Sequence, residues 1–218
     1  MPPVQSSVSS PGVLRASIQS SAIATAAETL HAGPPARVLL AVGPEGGWNT
    51  FELELLRSFT ATALRHGMTP GGQLISGEMV PADERLAIAL QVRIGEPVIA
   101  LRRLRLLDGQ AVAIAEDWIE ARKTPGLLAL DWAGGNRSLY DELRQRYRLN
   151  PEIGETVLIA RLATAEEARL LDLKRPAGVL TVEQIAYGRD GSPINATRSI
   201  HHPTRYPLKL EQGQRPLL

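Results

Sequence analysis

Two short runs rich in branched aliphatic residues, 98–107 and 111–119, are separated by Asp108-Gly109. Such runs read as strands, and Asp-Gly between them is a strong two-residue hairpin signal. The pattern recurs at 179–187 and 193–200 around Asp190-Gly191. A short helical pattern precedes each hairpin. The first begins at Val80-Pro81-Ala82-Asp83, with Leu86, Ile88, Ala89 and Leu90 on its apolar side, and Gly95-Glu96-Pro97 turns the chain after it. The second opens on Thr164-Ala165-Glu166-Glu167, a capping box, and runs through Leu173. A third helix starts at Ser138, with Asp141 three residues on and Leu139 and Leu143 at i, i+4. ADERLAIAL at 82–90 matches AEEARLLDL at 165–173, and the Asp-Gly pairs lie 82 residues apart. Helix, turn, strand, Asp-Gly, strand therefore occurs twice. Two such units predict an α+β fold, one antiparallel sheet with helices on one face. A site is expected between the halves or between sheet and helices.

The first 36 residues differ from the rest. Residues 1–12 are rich in Ser and Pro, 13–31 carry a weak amphipathic pattern poor in acids, and Gly33-Pro34-Pro35 breaks the chain. The stretch faintly resembles a transit peptide, and a flexible or disordered lead over 1–36 is the expectation. Residues 213–218 are expected to be a tail.

Composition narrows the chemistry. The 218 residues are 44% hydrophobic and 22% charged, enough for a core. The net charge of +1 offers no global basic field for nucleic acid. No cysteine is present, which excludes disulfides, thiol catalysis and thiolate metal sites. No apolar run of about 18 residues could span a membrane. Lys123, Lys174 and Lys209 are the lysines among 24 basic residues, so the positive charge is almost all arginine.

The ordered segments SFTATALRHGMTPGGQLISGEMVPADERLAIAL, GEPVIALRRLRLLDGQAVAI, SLYDELRQRY, ATAEEARLLDL and VEQIAYGRDGSPI, ending in TRY, resemble the UTRA domain of GntR-type bacterial transcription regulators, HutC/FarR subgroup. The resemblance covers residues 56–212. It implies a chorismate-lyase-like fold of about six antiparallel strands. It also implies a sensor: a small effector binds, and a winged-helix DNA-binding domain changes its seat on the operator. A homodimer, a cytoplasmic location, frequent repressor activity, no cofactor and no enzymatic activity follow from the same resemblance. FTATALR and AIAEDWIEARKTPGL resemble regulators of phosphonate metabolism. Residues 1–55 show no winged-helix pattern, so DNA is expected as a partner only through a domain not recognisable here. Within them, RVLLAVGPEGGWNTFELELLR (37–57) resembles the GPEGG cofactor loop of knotted SPOUT ribosomal RNA methyltransferases, without the rest of that site. Residues 37–55 are left as an unassigned strand–turn segment.

Arg103 and Arg105 lie two apart on a predicted strand and share a face with Ile99 and Leu101, while Arg102 faces away. On a buried face two guanidiniums need an anion; otherwise they are exposed or paired with Glu116 or Glu183. The resemblance assigns both arginines to the effector. It adds Ser138, also a helix cap near the positive helix end, and Tyr140, which could equally pack. It adds Ser58, Phe59 and Thr60 in a loop, their hydroxyls alternatively caps. Asn195 and His201 stand where the family carries Glu and Tyr, and Ala115 where many sugar-phosphate sensors carry Glu, with Glu116 on the other face. Thr204 replaces the Asp of an Asp-Arg-Tyr ending. These changes argue against an amino-sugar and for a small phosphate, phosphonate or carboxylate. His201 and His202 alternate faces on a strand and cannot both reach one metal ion. A chorismate-lyase-like enzyme and a ligand-free dimerisation module are the competing readings.

Overall fold

A computed structural model describes residues 37–39, for backbone only, 59–132 and 137–206. The lead over 1–36, the GPEGG turn, Ser58 and the tail over 213–218 lie outside the described residues. The elements are β1 (Arg37–Leu39), α1 (Phe59–Arg65), β2 (Pro70–Pro81), α2 (Glu84–Leu90), β3 (Pro97–Leu107) and β4 (Gln110–Glu120). After two short 3-10 turns come α3 (Leu139–Tyr147), β5 (Ile153–Leu162), α4 (Ala165–Leu170), β6 (Gly178–Tyr187) and β7 (Pro193–His201).

Every strand pair is antiparallel, in the order β1-β5-β6-β7-β4-β3-β2. The duplicated pattern explains that order. β2-α2-β3-β4 and β5-α4-β6-β7 are equivalent units, and they meet at the β4–β7 seam. The short β1 pairs with the outer edge of β5.

The helix ends follow the local chemistry. Asp83 caps α2 by accepting from the Leu86 N–H at 2.7 Å, and Ser138 caps α3 by accepting from the Asp141 N–H at 3.2 Å. At α4, Thr164 and Glu167 form the full capping box. The helix stops at Leu170, short of Leu173, because Leu171 leaves helical geometry and Asp172 takes a positive φ of 55°.

The two Asp-Gly turns differ. Asp108 and Gly109 both have positive φ (49° and 78°), as a tight two-residue hairpin needs. Around Asp190-Gly191 the loop is five residues long. There the Asp190 carboxylate accepts from both the backbone and the hydroxyl of Ser192, and only Gly191 has positive φ.

Two strands carried no legible pattern. β2 reads PGGQLISGEMVP, which sequence rules punctuate as loop. It is an edge strand, where Pro and Gly are tolerated. A Cβ at Gly77 would stand 3.3 Å from Leu128 Cδ2, so that side chain would have to shift by a few tenths of an ångström. β5 is mostly half-buried and blurs the alternation.

Helices pack on both faces of the sheet. As expected, α2 and α4 share one face: Leu86 and Leu90 meet Val98 and Ala196, and Ala168 meets Leu104, Ile114 and Ile200. The other face is covered by α3, whose Leu139, Tyr140 and Leu143 join Ile99, Leu101, Ile119 and Trp132. At one end α1 packs Ala63 on Leu107 and Val112. The site lies on this second face.

Candidate anion-binding site

The second face is built rung by rung. Arg103 on β3 opposes Ala115 on β4, which opposes Ser199 on β7. The next rung is Arg105, Ala113 and His201. Two arginines on one strand thus face a serine and a histidine two strands away across a floor of two alanines, whose methyl side chains rise little above the sheet. The rungs beyond are Leu101, Asp117, Thr197, Gln184, Thr156 and then Ile99, Ile119, Asn195.

Arg103 and Arg105 are buried, at 6% and 5% exposure, which decides against the solvent alternative. Glu116 and Glu183 are not their partners. Glu116 lies on the opposite face, paired with Arg102 at 3.0 Å and with Arg198. Arg103 Nη2 instead donates to Asp117 Oδ2 at 2.7 Å, and its guanidinium lies 5.1 Å from the Trp132 ring centre. Arg105 Nη2 donates to Thr60 Oγ1 at 3.3 Å, over the Phe59 ring at 4.4 Å. Among the described residues, three buried N–H groups, Arg103 Nε and Nη1 and Arg105 Nε, have no hydrogen-bond partner. Burial and then the neighbouring Arg103 charge pull the Arg105 guanidinium down to about 9. It is charged at neutral pH, at a cost that a bound anion would relieve.

Asp117 organises the acceptor end. Its carboxylate pairs with Arg103 and accepts only, so the Thr197 hydroxyl donates to it at 2.9 Å. Thr197 then has only lone pairs to offer Asn195, whose Nδ2 donates to it at 2.7 Å. This chain orients the amide and leaves Asn195 Oδ1, in a residue with no exposure, without a partner among the described residues. Beside it, the Tyr140 hydroxyl donates to Gln184 Oε1 at 3.4 Å, and Gln184 Nε2 donates to Thr156 at 3.1 Å. Burial, with Asp117 nearby, raises the Tyr140 phenol, so it stays neutral.

His201 stacks on Tyr206 at 5.3 Å, and Tyr206 tilts against Phe59 at 5.6 Å. Its Nε2 lies 2.7 Å from Ser199 Oγ. Burial pulls the imidazole down to about 4, opposed by the Tyr206 backbone. It is neutral at pH 7 and a weak base. No carboxylate bonds to the ring among the described residues, so the Ser199–His201 pair lacks the third member of a nucleophilic triad.

The structure therefore places Arg103, Arg105, Phe59, Thr60 and His201 in one cluster, with Tyr140 and Asn195 at the adjoining acceptor end. Phe59 and Thr60 open helix α1; the loop expected for them is the first helical turn instead. The Ser138 hydroxyl is engaged with its own helix, and α3 brings it next to Tyr140. Sequence reasoning did not name Asp117, Thr197, Ser199, Gln184 or Trp132. Asp117 was within reach, two residues past Ala115 on the same strand face, and Asn195, Thr197, Ser199 and His201 repeat with period two on β7.

The UTRA domain model matches residues 65–207. The chain is 30% identical over 148 residues to the HTH-type transcriptional repressor PhnF of Mycolicibacterium smegmatis, covering 68% of this chain and 59% of that protein. It is 28% identical over 156 residues to the HTH-type transcriptional repressor NagR of Bacillus subtilis, covering 71% and 62%. The crystal structure of the effector domain of PhnF from Mycobacterium smegmatis superposes with a TM-score of 0.64 at 29% identity, over 69% of this chain and 91% of that one. The chain thus spans about three fifths of the length of the curated relatives it matches.

Proposed function

The chain belongs to the UTRA domain family, and on that premise we propose that it senses a small anionic metabolite at Arg103 and Arg105 for a transcriptional regulator. One observation carries this reading. Of two buried guanidiniums only that of Arg103 pairs with a carboxylate, Asp117, and three of their N–H groups lack partners among the described residues. Buried donors in that state ask for an acceptor with several oxygens, such as a phosphate, phosphonate or carboxylate. The anion would sit over Ala113 and Ala115, between the arginines and the Ser199–His201 side. The partnerless Asn195 Oδ1 favours a ligand that also carries a hydrogen-bond donor. Helix α1, bearing Phe59 and Thr60, closes the arginine end and would respond to occupancy. DNA binding through a winged-helix domain, action as a repressor and assembly as a homodimer belong to the same proposal. They rest on the kinship with PhnF and NagR.

Among the described residues, the Ser199–His201 contact is the feature that favours an enzyme. The low basicity of a buried imidazole and its lack of a carboxylate partner weigh against it. The Arg103–Asp117 ion pair is what a purely structural, ligand-free role would use.

A thermal-shift screen of phosphosugars, phosphonates and small carboxylates tests the reading. A ligand at about 100 times its dissociation constant adds about 2.7 kcal/mol of stability. The expected result is a hit that disappears in Arg103→Ala. A flat screen on a folded protein would support the structural role instead.

A further inference from the structure

The fixed charges on this face can be counted. Arg103 and Arg105 contribute two positive charges, and Asp117 removes one. His201 and Tyr140 are neutral at pH 7, held so by burial. Three further arginines near the face have carboxylates of their own. Arg137, near Trp132, pairs with Glu142; Arg144, near Tyr140, lies 3.6 Å from Asp141; Arg205, beyond His202, lies 3.0 Å from Asp172. Glu116, Arg102 and Arg198 belong to the opposite face. Among the described residues, the buried part of the site therefore carries a net charge of one.

We infer that Asp117 makes this a site for a singly charged anion, and that it excludes doubly charged ones. The inference rests on the proposed reading that the anion binds Arg103 and Arg105. A monoanion neutralises the buried excess. A dianion leaves a surplus negative charge in a desolvated place and stands close to the Asp117 carboxylate. Like charges brought together where water is excluded are disfavoured strongly enough to set specificity. Asp117 cannot move aside cheaply. Its two oxygens are held by Arg103 and by Thr197, at 2.7 and 2.9 Å, and its exposure is only 4%. The ligand class this names is a carboxylate, or a phosphoryl or phosphonyl group with one ionisable oxygen esterified, ahead of a phosphate monoester. Asp117 is in this sense a specificity-determining residue.

Methyl sulfate and methyl phosphate make the test. They are nearly the same shape, and at pH 8 the first carries one negative charge while the second carries close to two, its second pKa being about 6. Dissociation constants are measured by calorimetry or NMR titration on the whole chain. The wild type is expected to bind methyl sulfate on the order of tenfold more tightly than methyl phosphate. Asp117→Asn is expected to reverse that order, since two arginines then face the ligand unopposed. A wild type that prefers methyl phosphate, or an unchanged ratio in Asp117→Asn, overturns the inference. If Asp117→Asn does not fold, the wild-type ratio decides alone. Failure of the underlying reading looks different: neither probe binds the wild type, or both bind Arg103→Ala as well as they bind the wild type.

Discussion

Arg102 and Arg103 are neighbours in sequence and opposite in circumstance. Arg102 faces the side covered by α2 and α4, where Glu116 lies at 3.0 Å and Glu166 at 2.7 Å. The Glu166 hydrogen bond, more than the Glu116 charge, holds its guanidinium above the ordinary range. On that face the charges close among themselves: Glu116 also takes Arg198, and Glu167 takes Arg161 and the Thr164 N–H. Arg103 faces the α3 side, deeply buried; it takes the one carboxylate there, Asp117, and Arg105 two residues on has only Thr60. The first face spends its ions on structure. The second is left with positive charge and partnerless donors, an arrangement that costs folding stability and that the proposed anion would relieve.

Substitutions on the two faces should therefore behave differently, and the largest effect is expected at the buried pair. Arg103→Ala strands the Asp117 carboxylate, and breaking a buried pair this way costs about 3–5 kcal/mol. Urea unfolding measures it, and a loss below about 1 kcal/mol would mean that water reaches Asp117 freely. The pH dependence of stability comes next. The His201 pKa is lower folded, about 4, than its ordinary 6.5. Between those values the unfolded chain takes up a proton that the native one refuses. Stability is full above pH 6.5 and falls as pH drops towards 4, by on the order of 2–3 kcal/mol. His201→Gln should flatten that slope. Glu167, pulled down to about 2 by Arg161, acts from the other face and in a lower window, its contribution fading only below about pH 4.5.

Arg105→Met sharpens the contrast from the opposite direction. It removes a buried cation that lacks a carboxylate of its own, so the ligand-free protein should gain about 1–2 kcal/mol while losing its response to anions. A drop in melting temperature would show that the Thr60 and Phe59 contacts outweigh the desolvation cost. On the structural face, Thr164→Ala removes half of the α4 capping box and should cost about 1 kcal/mol. Arg102→Ala should cost less, about 0–1 kcal/mol, because Glu166 is exposed and Glu116 keeps Arg198 as a partner. Neither change should alter anion binding; a changed ligand titration in either would erase the distinction between the faces.

Much of this was legible beforehand, for local reasons. Asp108-Gly109 announces a hairpin because both residues must take positive φ. Thr164 and Glu167 announce a helix start because their side chains satisfy the free N–H groups of that turn. The 82-residue echo foretold two like units, and Arg103 and Arg105 could be placed on one face by period two alone. The edge strand β2 was not legible, since Pro and Gly at an edge obey solvent-side rules rather than burial. Nor was the five-residue loop at Asp190-Gly191, whose shape depends on Ser192.

Sequence was sufficient for what one strand or one turn can specify: the units, their repetition and the pairing of faces along β3. It could not say that the arginine face is covered as well, because that depends on α3 folding back from about 40 residues further on. It could not name Asp117 as the partner, because Leu101, Asp117 and Thr197 become one rung only when β3, β4 and β7 align. The charge of the site is a sum over strands far apart in the chain. Only when the sheet assembles and water leaves do two arginines and one aspartate become a single electrostatic object.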